Sequence, residues 1–347
     1  MTLQAPFPWF GGKRTVAAEI WQRFGPVRNY VEPFFGSGAV LLARPQPFSG
    51  VETINDADGN VSNFWRAIQA APDDVARWAD WPVSEADLHA RHYWLITEGK
   101  ARLARLLGEP GGYDAQVAGW WVWGISSWIG SGWCSGEGPW RWTGEEWTDS
   151  AGQGINRQLP HLGNAGQGIN RQLPHLGNAG RGINRQLPHL GDAGRGINRK
   201  LPHLGDAGQG IGDAFAALAA RLRGVRIAHG DWSRVCGDSV TWRHGKTAVF
   251  LDPPYSMDER ASVYAVETDA AKDARLWAIE AGKRADMLIC LAGYDGEHAM
   301  PDEWTAWRWK ARGGFGSQGQ GRGRNNAKRE TLWFSPACSP AKQETLL

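Results

Sequence analysis

Segments of strand length and segments of helix length alternate at both ends of this 347-residue chain. Near the amino end, apolar Val16, Ile20 and Phe24 recur at every fourth residue, which predicts a helix over 13–24. Short apolar segments that end in polar residues predict strands between such helices. The predicted order here is helix 13–24, strand 30–32, helix 38–43, strand 51–55 and helix 61–70. This alternation is typical of a mostly parallel sheet that is covered by helices.

The same alternation resumes near residue 212 and continues toward the carboxyl end. Helices are expected over 213–223 and 270–282, and strands over 225–229, 247–251 and 286–292. Two late segments, 304–310 and 330–334, are expected to form an antiparallel pair. The simplest architecture is one α/β domain that a long insertion divides between about residues 80 and 212.

The insertion has a composition unlike that of the rest of the chain. Residues 84–107 have a helical pattern, and eight tryptophans follow between Gly119 and Asp149. A 14-residue repeat then occurs in four copies, each with a proline that excludes a continuous helix. The copies begin at residues 154, 168, 182 and 196. We therefore divide the chain into the two parts of the α/β domain, 1–80 and 212–347, a Trp-rich region, 81–150, and a repeat insertion, 151–211.

The residues of the insertion are open to more than one interpretation. Its tryptophans can stack against nucleic-acid bases or form a small aromatic core, and the core is the simpler interpretation. Each repeat carries an arginine (157, 171, 185 and 199) that can contact a phosphate or lie in a solvated loop. Each repeat also carries a histidine (161, 175, 189 and 203), but the repeats contain no cysteine. This spacing does not favour zinc, and we predict no metal.

Composition limits the classes of protein that the chain can represent. Its 42% hydrophobic content is ordinary for a globular protein, and it has no run of 18 apolar residues that would predict a membrane span. The first residues lack the basic and then apolar character of a secretion signal. The four cysteines form no closely spaced pair, so we expect a reducing, cytoplasmic location. A net charge of +2 does not by itself indicate a nucleic-acid partner.

A glycine-rich segment, residues 32–38, lies between the first expected strand and the next helix and has the sequence E-P-F-F-G-S-G. Glycines in such a turn let the backbone approach a ligand, and the amino end of a helix favours polar or anionic groups. Taken alone, a tight turn between a strand and a helix is the simpler explanation of this segment.

A second motif, Asp252-Pro253-Pro254-Tyr255, directly follows the apolar segment 247–251. At the carboxyl end of a parallel strand, it would face the crevice where open α/β sheets bind ligands. The amine on a purine ring is a weak nucleophile, and a carboxylate and a rigid backbone carbonyl can accept hydrogen bonds from it. The two prolines fix the directions of these acceptors, and the tyrosine offers a flat face for an extruded base. Taken alone, the motif also suits a turn with a solvated aspartate.

These motifs, in this order, resemble those of the Dam-like, D12 class of adenine-N6 DNA methyltransferases. Residues 8–13, P-W-F-G-G-K, resemble the W-x-G-G-K cofactor motif of that family, and residues 31–38 resemble its V-E-P-F-x-G-x-G motif. Residues 54–56 and 230–231 resemble two acidic strand ends near the cofactor, and residues 252–255 match the catalytic D-P-P-Y. The repeats and the carboxyl-terminal segment are most similar to those of phage-borne members. The resemblance implies a Rossmann-like methyltransferase fold, with a mostly parallel sheet, a carboxyl-terminal antiparallel pair and an inserted recognition region.

The resemblance also implies an activity, namely transfer of a methyl group from S-adenosylmethionine to adenine N6 in double-stranded DNA after base flipping. By this resemblance, Asp252 and the Pro253 carbonyl hold the target amine. Pro254 completes the rigid segment, and Tyr255 stacks on the flipped adenine. The residues implied for the cofactor site are Trp9, Lys13, Glu32, Phe34, Gly36, Gly38, Asp56 and Asp231. Residues 1–80 and 212–347 would form the catalytic domain, residues 81–150 would recognise the target, and no metal would be required.

Several alternatives remain open at the level of the sequence. Cytosine-N4 methyltransferases typically carry S-P-P-Y and protein-glutamine methyltransferases N-P-P-Y, so Asp252 favours adenine without excluding another amine. RNA is also open as the substrate polymer. A protein without catalytic activity that binds DNA through its arginine-bearing repeats is disfavoured, because it would need neither motif. The sequence does not indicate a recognition site, an oligomeric state or a restriction endonuclease partner.

Overall fold

A computed structural model gives the structure of the protein. It describes residues 3–9, 12–128, 133–134, 210–254, 270–309 and 330–340, together with the backbone of two short strands at 141–142 and 147–148. The 14-residue repeats and Tyr255 lie outside the described residues.

Seven of the strands that the structure describes form one sheet. They are β1 (Asn29–Glu32), β2 (Val51–Asp56), β5 (Val225–His229), β6 (Thr247–Leu251), β7 (Met287–Tyr294), β8 (Thr305–Arg308) and β9 (Glu330–Phe334). The other two, β3 (Arg141–Trp142) and β4 (Trp147–Thr148), pair with each other. The order in the large sheet is β5-β2-β1-β6-β7-β9-β8; its first five strands are parallel, and β9 is antiparallel to β7 and β8. This sheet confirms the predicted Rossmann-like α/β fold and the predicted antiparallel pair.

The chain changes direction along the sheet at β1. It adds β2 and then β5 on one side of β1, and it returns to the other side with β6 and β7. Residues 29–31 of β1 pair with residues 247–249 of β6, so these two strands end close to the same level. The crevice at the carboxyl ends of β1 and β6 is therefore a topological switch point, where open α/β sheets bind ligands.

The central strands have continuous apolar sequences because both of their faces are covered. Every residue of β6 and of β7 is buried, which is typical of the middle of a parallel sheet. In contrast, β8 is largely exposed at the edge of the sheet. The continuous apolar pattern explains why the predicted bounds of β6 coincide with the observed ones.

Helices cover both faces of the sheet. They are α1 (Ala17–Phe24), α2 (Ala39–Leu42), α3 (Gly59–Ala70), α4 (Pro72–Ala79), α5 (Glu85–Trp94), α6 (Lys100–Leu106), α7 (Ala115–Ser127), α8 (Ile211–Leu222) and α9 (Ala270–Ala281), and a π-helical turn, Leu95–Gly99, joins α5 to α6. Asp58, Ser84 and Asp114 cap α3, α5 and α7, because each side chain accepts a hydrogen bond from a backbone N–H of the first turn. Among the described residues, no helix combines the length and the apolar character needed to cross a membrane.

The first helix is shorter than the sequence pattern predicts. The pattern predicts a helix from residue 13, but α1 begins at Ala17, and residues 14–16 form a turn. The Val16 N–H donates to the Lys13 carbonyl (3.1 Å), which closes this turn. The turn leaves Lys13 outside the helix, and its side chain reaches the segment that follows β6.

The larger part of the core lies on the face of the sheet that α1, α3, α7 and α8 cover. Phe7, Phe64 and Trp121 contact one another there, with ring centroids 4.9 to 5.9 Å apart. Trp121 and Trp123, which belong to α7 and to the Trp-rich region, are fully buried. These two tryptophans therefore belong to a packed aromatic core, as the simpler interpretation of that region predicts.

Candidate active site

Several functional segments meet at the edge of the sheet where β1, β2, β5 and β6 end. The strand β9 is antiparallel to β7, and its first residue, Glu330, pairs with Tyr294, the last residue of β7. The amino end of β9 therefore lies at the same edge as the carboxyl ends of the parallel strands. The side chain of Lys13, which lies just before α1, also reaches this edge.

Lys13 connects the amino-terminal motif to the residues that follow β6 and begin β9. Its Nζ lies 2.9 Å from both Oδ1 and Oδ2 of Asp252 and 3.7 Å from Oε2 of Glu330. The Lys13 side chain is 2% exposed, whereas that of Asp252 is 20% exposed. A buried cation thus lies between two carboxylates, one of which is open to solvent. We call Lys13, Asp252 and Glu330 the Lys13 cluster.

The Lys13 cluster keeps its lysine protonated. Burial by itself disfavours the charged ammonium, but the charges of Asp252 and Glu330 and the hydrogen bond to Asp252 outweigh burial and raise the pKa of Lys13 above its ordinary value. At neutral pH, Lys13 therefore donates hydrogen bonds to Asp252 and is not available as a base.

The two prolines after Asp252 restrict the backbone at the crevice. Pro253 is buried and Pro254 is half-buried. A proline has one fixed backbone torsion and no N–H, so the carbonyl groups of this segment have restricted directions. Asp252, Pro253 and Pro254 thus lie together at the end of β6, and Tyr255 follows them in the sequence beyond the described residues.

The glycine turn after β1 adopts backbone torsions that favour glycine. The φ angle is +47° at Gly36 and +69° at Gly38. A Cβ atom at Gly36 would lie 2.4 Å from Nε1 of Trp9, and one at Gly38 would lie 2.6 Å from the ring of Phe35. The Trp9 ring therefore fills the space beside Gly36, so a side chain at residue 36 would collide with the amino-terminal motif before it reached a ligand.

Asp56, the last residue of β2, is bound to the glycine turn. Its Oδ2 accepts a hydrogen bond from the Gly36 N–H (2.8 Å), and its Oδ1 accepts one from the Asp58 N–H (2.9 Å). Burial and the nearby Asp58 carboxylate raise the pKa of Asp56 to about 7, against the effect of the backbone hydrogen bonds. A carboxylate has about four acceptor positions, so half-buried Asp56 can hold the turn and still accept from a ligand hydroxyl.

Asn55 joins the segments that follow three of the parallel strands. Its Nδ2 donates to the carbonyl oxygens of Pro33 (3.0 Å) and Gly230 (2.9 Å). The Gly230 N–H in turn donates to the Asp56 carbonyl (3.0 Å). The segments after β1, β2 and β5 are therefore fixed relative to one another at the crevice.

Asp231 and Phe34 are brought near each other through Trp232. Asp231 is exposed, and its carboxylate accepts a hydrogen bond from the Ser233 N–H (2.9 Å) at the start of a 3-10 turn. The next residue, Trp232, is buried and stacks on Phe34 with 5.9 Å between the ring centroids and 28° between the ring planes. The carboxylate of Asp231 thus contributes to its own turn, and half-buried Phe34 forms part of an aromatic surface.

Glu32 faces the interior of the protein. Its carboxylate accepts hydrogen bonds from the Tyr30 hydroxyl (2.8 Å) and from the Leu41 N–H (3.2 Å). Tyr30 and Glu32 are two residues apart on β1, so their side chains lie on the same face of the sheet. Burial raises the pKa of Glu32 well above its ordinary value. Glu32 therefore links β1 to α2 beneath the glycine turn.

The comparison with known families concerns the amino-terminal part of this site. Residues 9–94 match the family model of D12 class N6 adenine-specific DNA methyltransferase. This match confirms the resemblance for the amino-terminal motifs and supports a DNA methyltransferase. The matched residues include Trp9, Lys13, the glycine turn and Asp56, and they end before the segment that follows β6. No curated protein matches the chain.

Three residues that shape this candidate site were not identified from the sequence. Trp65 donates through Nε1 to the Gly36 carbonyl (2.9 Å), Asp58 binds the Asp56 carboxylate and caps α3, and Glu330 contacts Lys13. Asp58 has a sequence signal, because an aspartate just before a helical pattern is typical of a cap. Glu330 has a weaker signal, as the charged first residue of an otherwise apolar strand.

Proposed function

We propose that this protein transfers a methyl group from S-adenosylmethionine to the exocyclic N6 of adenine in double-stranded DNA. The observation that carries the proposal is the position of Asp252. Its partly exposed carboxylate follows the last residue of β6 at the topological switch point, and buried Lys13 holds both of its oxygens. A family match to residues 9–94 supports the amino-terminal half of the same site.

In the proposed reaction, Asp252 and the Pro253 carbonyl accept hydrogen bonds from the adenine amine. These bonds orient the nitrogen lone pair, which is otherwise delocalised into the ring, toward the methyl group. As the new nitrogen–carbon bond forms, the bond between the methyl group and the donor sulfur would break and leave a neutral thioether, and the amine would lose one proton that the Asp252 carboxylate can accept. Lys13 orients Asp252, because it stays protonated and donates to both of its oxygens.

The residues around the glycine turn fit S-adenosylmethionine, which supplies a methyl group on a positively charged sulfur when it is bound. Half-buried Asp56 can accept from ribose hydroxyls, and the surface that Phe34 and Trp232 form suits a purine ring. In this proposal, Trp9, Gly36 and Gly38 shape the cofactor turn, Glu32 supports it from below, and exposed Asp231 lies at its edge.

The position of the proposed site requires that the target base leave the DNA double helix. Asp252 and Pro253 lie at the edge of the sheet, and a base that is stacked inside a duplex cannot reach such a crevice. We propose base flipping, with Tyr255 stacked on the extruded adenine. We also propose that 1–80 and 212–347 form the catalytic domain and that part of 81–150 recognises the target. A cytoplasmic location stays a prediction from the sequence, and the sequence leaves a restriction endonuclease partner open.

The experiment that tests this proposal measures transfer of labelled methyl groups from S-adenosylmethionine to unmethylated genomic DNA, with the products identified by mass. Wild-type protein should produce N6-methyladenine, and Asp252→Asn should produce none while it still binds the cofactor. Asp286→Asn is the matched control, because this half-buried aspartate precedes β7 at the opposite edge of the sheet. Detection of N4-methylcytosine would show that the acceptor is cytosine, and label in RNA alone would show that the acceptor is RNA. Absence of both cofactor binding and transfer would contradict the proposal.

A further inference from the structure

A buried carboxylate on β9, the last strand in chain order, lies near the proposed reaction centre. Glu330 is 4% exposed and begins β9, which is distant in sequence from the residues 9–94 that match the D12 family. The antiparallel course of β9 brings Glu330 to the same edge as Asp252, although the parallel strands β6 and β7 reach that edge with their carboxyl ends. The fold therefore adds a third charged residue to the crevice from the carboxyl-terminal part of the chain.

The contacts of Lys13 are unequal toward the two carboxylates. The two 2.9 Å distances to Asp252 are hydrogen bonds, whereas the 3.7 Å distance to Glu330 is an ion pair without a hydrogen bond of ordinary length. Because Lys13 and Glu330 are both buried, the attraction between them is stronger than it would be at the surface. Lys13 is thus attracted toward both carboxylates, which lie on different strands.

We propose that Glu330 is a positioning residue for methyl transfer, which acts on Asp252 through Lys13. Glu330 shares the charge of Lys13, so the ammonium does not fully neutralise Asp252. A carboxylate that retains more of its negative charge is a stronger acceptor for the amine of the target base. Glu330 also restrains the position of Lys13 and thereby fixes the direction of the Asp252 oxygens. This inference rests on the proposed function, since it assumes that Asp252 holds the target amine.

Substitution of Glu330 by glutamine tests this role through the kinetic constants. Glu330→Gln should lower kcat on the order of tenfold, while the KM values for S-adenosylmethionine and DNA change little, because the defect lies in orienting the amine. Glu330→Asp keeps the charge but retracts it by one methylene, so its kcat should lie between those of Glu330→Gln and the wild type. Glu52→Gln is the control, because Glu52 is also a buried carboxylate in an ion pair but is bound to Arg44 and Arg221. It should lower stability without a selective decrease in kcat.

A pH profile separates this role from a purely structural one. The described titratable groups that act on Lys13 are Asp252, Glu330 and Tyr294. Loss of the Glu330 charge should lower the pKa of Lys13, so the alkaline limb of the kcat profile should shift to lower pH in Glu330→Gln. A merely structural effect would lower kcat at every pH without moving this limb.

The final test is a double-mutant cycle with Lys13→Met. If Glu330 acts through Lys13, Glu330→Gln should have no further effect on kcat once Lys13→Met is present. Equal tenfold losses in both backgrounds, or a wild-type kcat and alkaline limb in Glu330→Gln, would overturn the inference. If Glu330→Gln does not fold, an unchanged kcat in Glu330→Asp would overturn it. These results differ from failure of the proposed function, in which the wild-type protein itself would not methylate DNA.

Discussion

Two clusters of buried charge lie on the same sheet, and their composition differs. In the first, Glu52 on β2 is bound by two arginines: Arg221 donates to both of its oxygens (2.6 and 2.7 Å), and Arg44 donates at 2.9 Å. In the Lys13 cluster, one lysine lies between two carboxylates, and Asp252 remains partly exposed. We call the first group the Glu52 cluster.

The difference indicates what each cluster does. In the Glu52 cluster, the guanidinium groups also lie over the Phe48 ring (4.1 and 4.8 Å to its centroid), and Arg221 donates to the Leu41 carbonyl. Its cations are directed inward and hold α2 and α8 to the sheet. The Lys13 cluster contains one cation and two carboxylates, and one of the carboxylates, Asp252, is partly exposed at the crevice. A buried carboxylate that two cations hold is suited to structure, whereas a partly exposed carboxylate at a crevice is suited to binding.

The largest effect is expected from breaking the Glu52 cluster. Arg221→Met should lower the free energy of unfolding by about 3 kcal/mol, because removal of one partner leaves a buried charge with less compensation. Chemical denaturation measures this change. The kcat of the remaining folded protein should stay within about twofold of the wild type. A stable Arg221→Met protein with a large decrease in kcat would reverse the roles assigned to the two clusters.

Breaking the Lys13 cluster should have its main effect on activity. Lys13→Met should lower kcat on the order of a hundredfold, since Asp252 loses the donor that orients both of its oxygens. Steady-state kinetics, corrected for the folded fraction by circular dichroism, give this value. Turnover at the wild-type rate in Lys13→Met would show that Asp252 needs no such partner.

A smaller effect is expected at the glycine turn beside the Lys13 cluster. Gly36→Ala would force an alanine into a left-handed torsion and displace the Trp9 ring. The dissociation constant of S-adenosylmethionine, measured by calorimetry, should rise about tenfold. Gly224→Ala is the matched control, because a Cβ there would have no neighbour within 4 Å. Equal affinities of Gly36→Ala and Gly224→Ala for the cofactor would show that the glycine turn does not belong to the cofactor site.

The smallest effect concerns the pH dependence of stability. The pKa of Asp56 is about 7 in the folded protein, above its ordinary value of 3.8. The folded state therefore binds a proton that the unfolded state has lost, and the resulting stabilisation disappears as the pH rises toward 7. Relative to Asp56→Asn, the wild type should lose on the order of 1 kcal/mol between about pH 4 and pH 7, because solvent screens this half-buried group. Urea denaturation at several pH values measures the free energy of unfolding of both proteins. A difference between the two proteins that did not change with pH would contradict this prediction.

The fold could be predicted to a large extent because its main patterns are local. The strands β5 and β6 were predicted with their observed bounds, since each is a short segment with β-branched residues, and glycines flank β5 while β6 is apolar throughout its centre. The helix α1 was predicted to begin at residue 13, because an apolar repeat cannot reveal that residues 14–16 form a turn. The sequence favoured an aromatic core for the Trp-rich region, which buried Trp121 confirms, but it left base stacking open because an aromatic ring also suits a base.

The candidate site could be predicted only where its residues belong to motifs. Lys13, Gly36, Asp56 and Asp252 were identified in this way, but their pairing depends on the order of strands in the sheet. Glu330 could not be identified, because only the antiparallel course of β9 brings it to the crevice.

The most direct test of the account compares wild type, Asp252→Asn and Arg221→Met in one assay of methyl transfer to DNA, with the product nucleosides identified by mass. We expect N6-methyladenine from the wild type and from folded Arg221→Met, and none from Asp252→Asn, which should remain folded and bind the cofactor. Formation of N6-methyladenine by Asp252→Asn at the wild-type rate would contradict the central claim that this carboxylate holds the target amine.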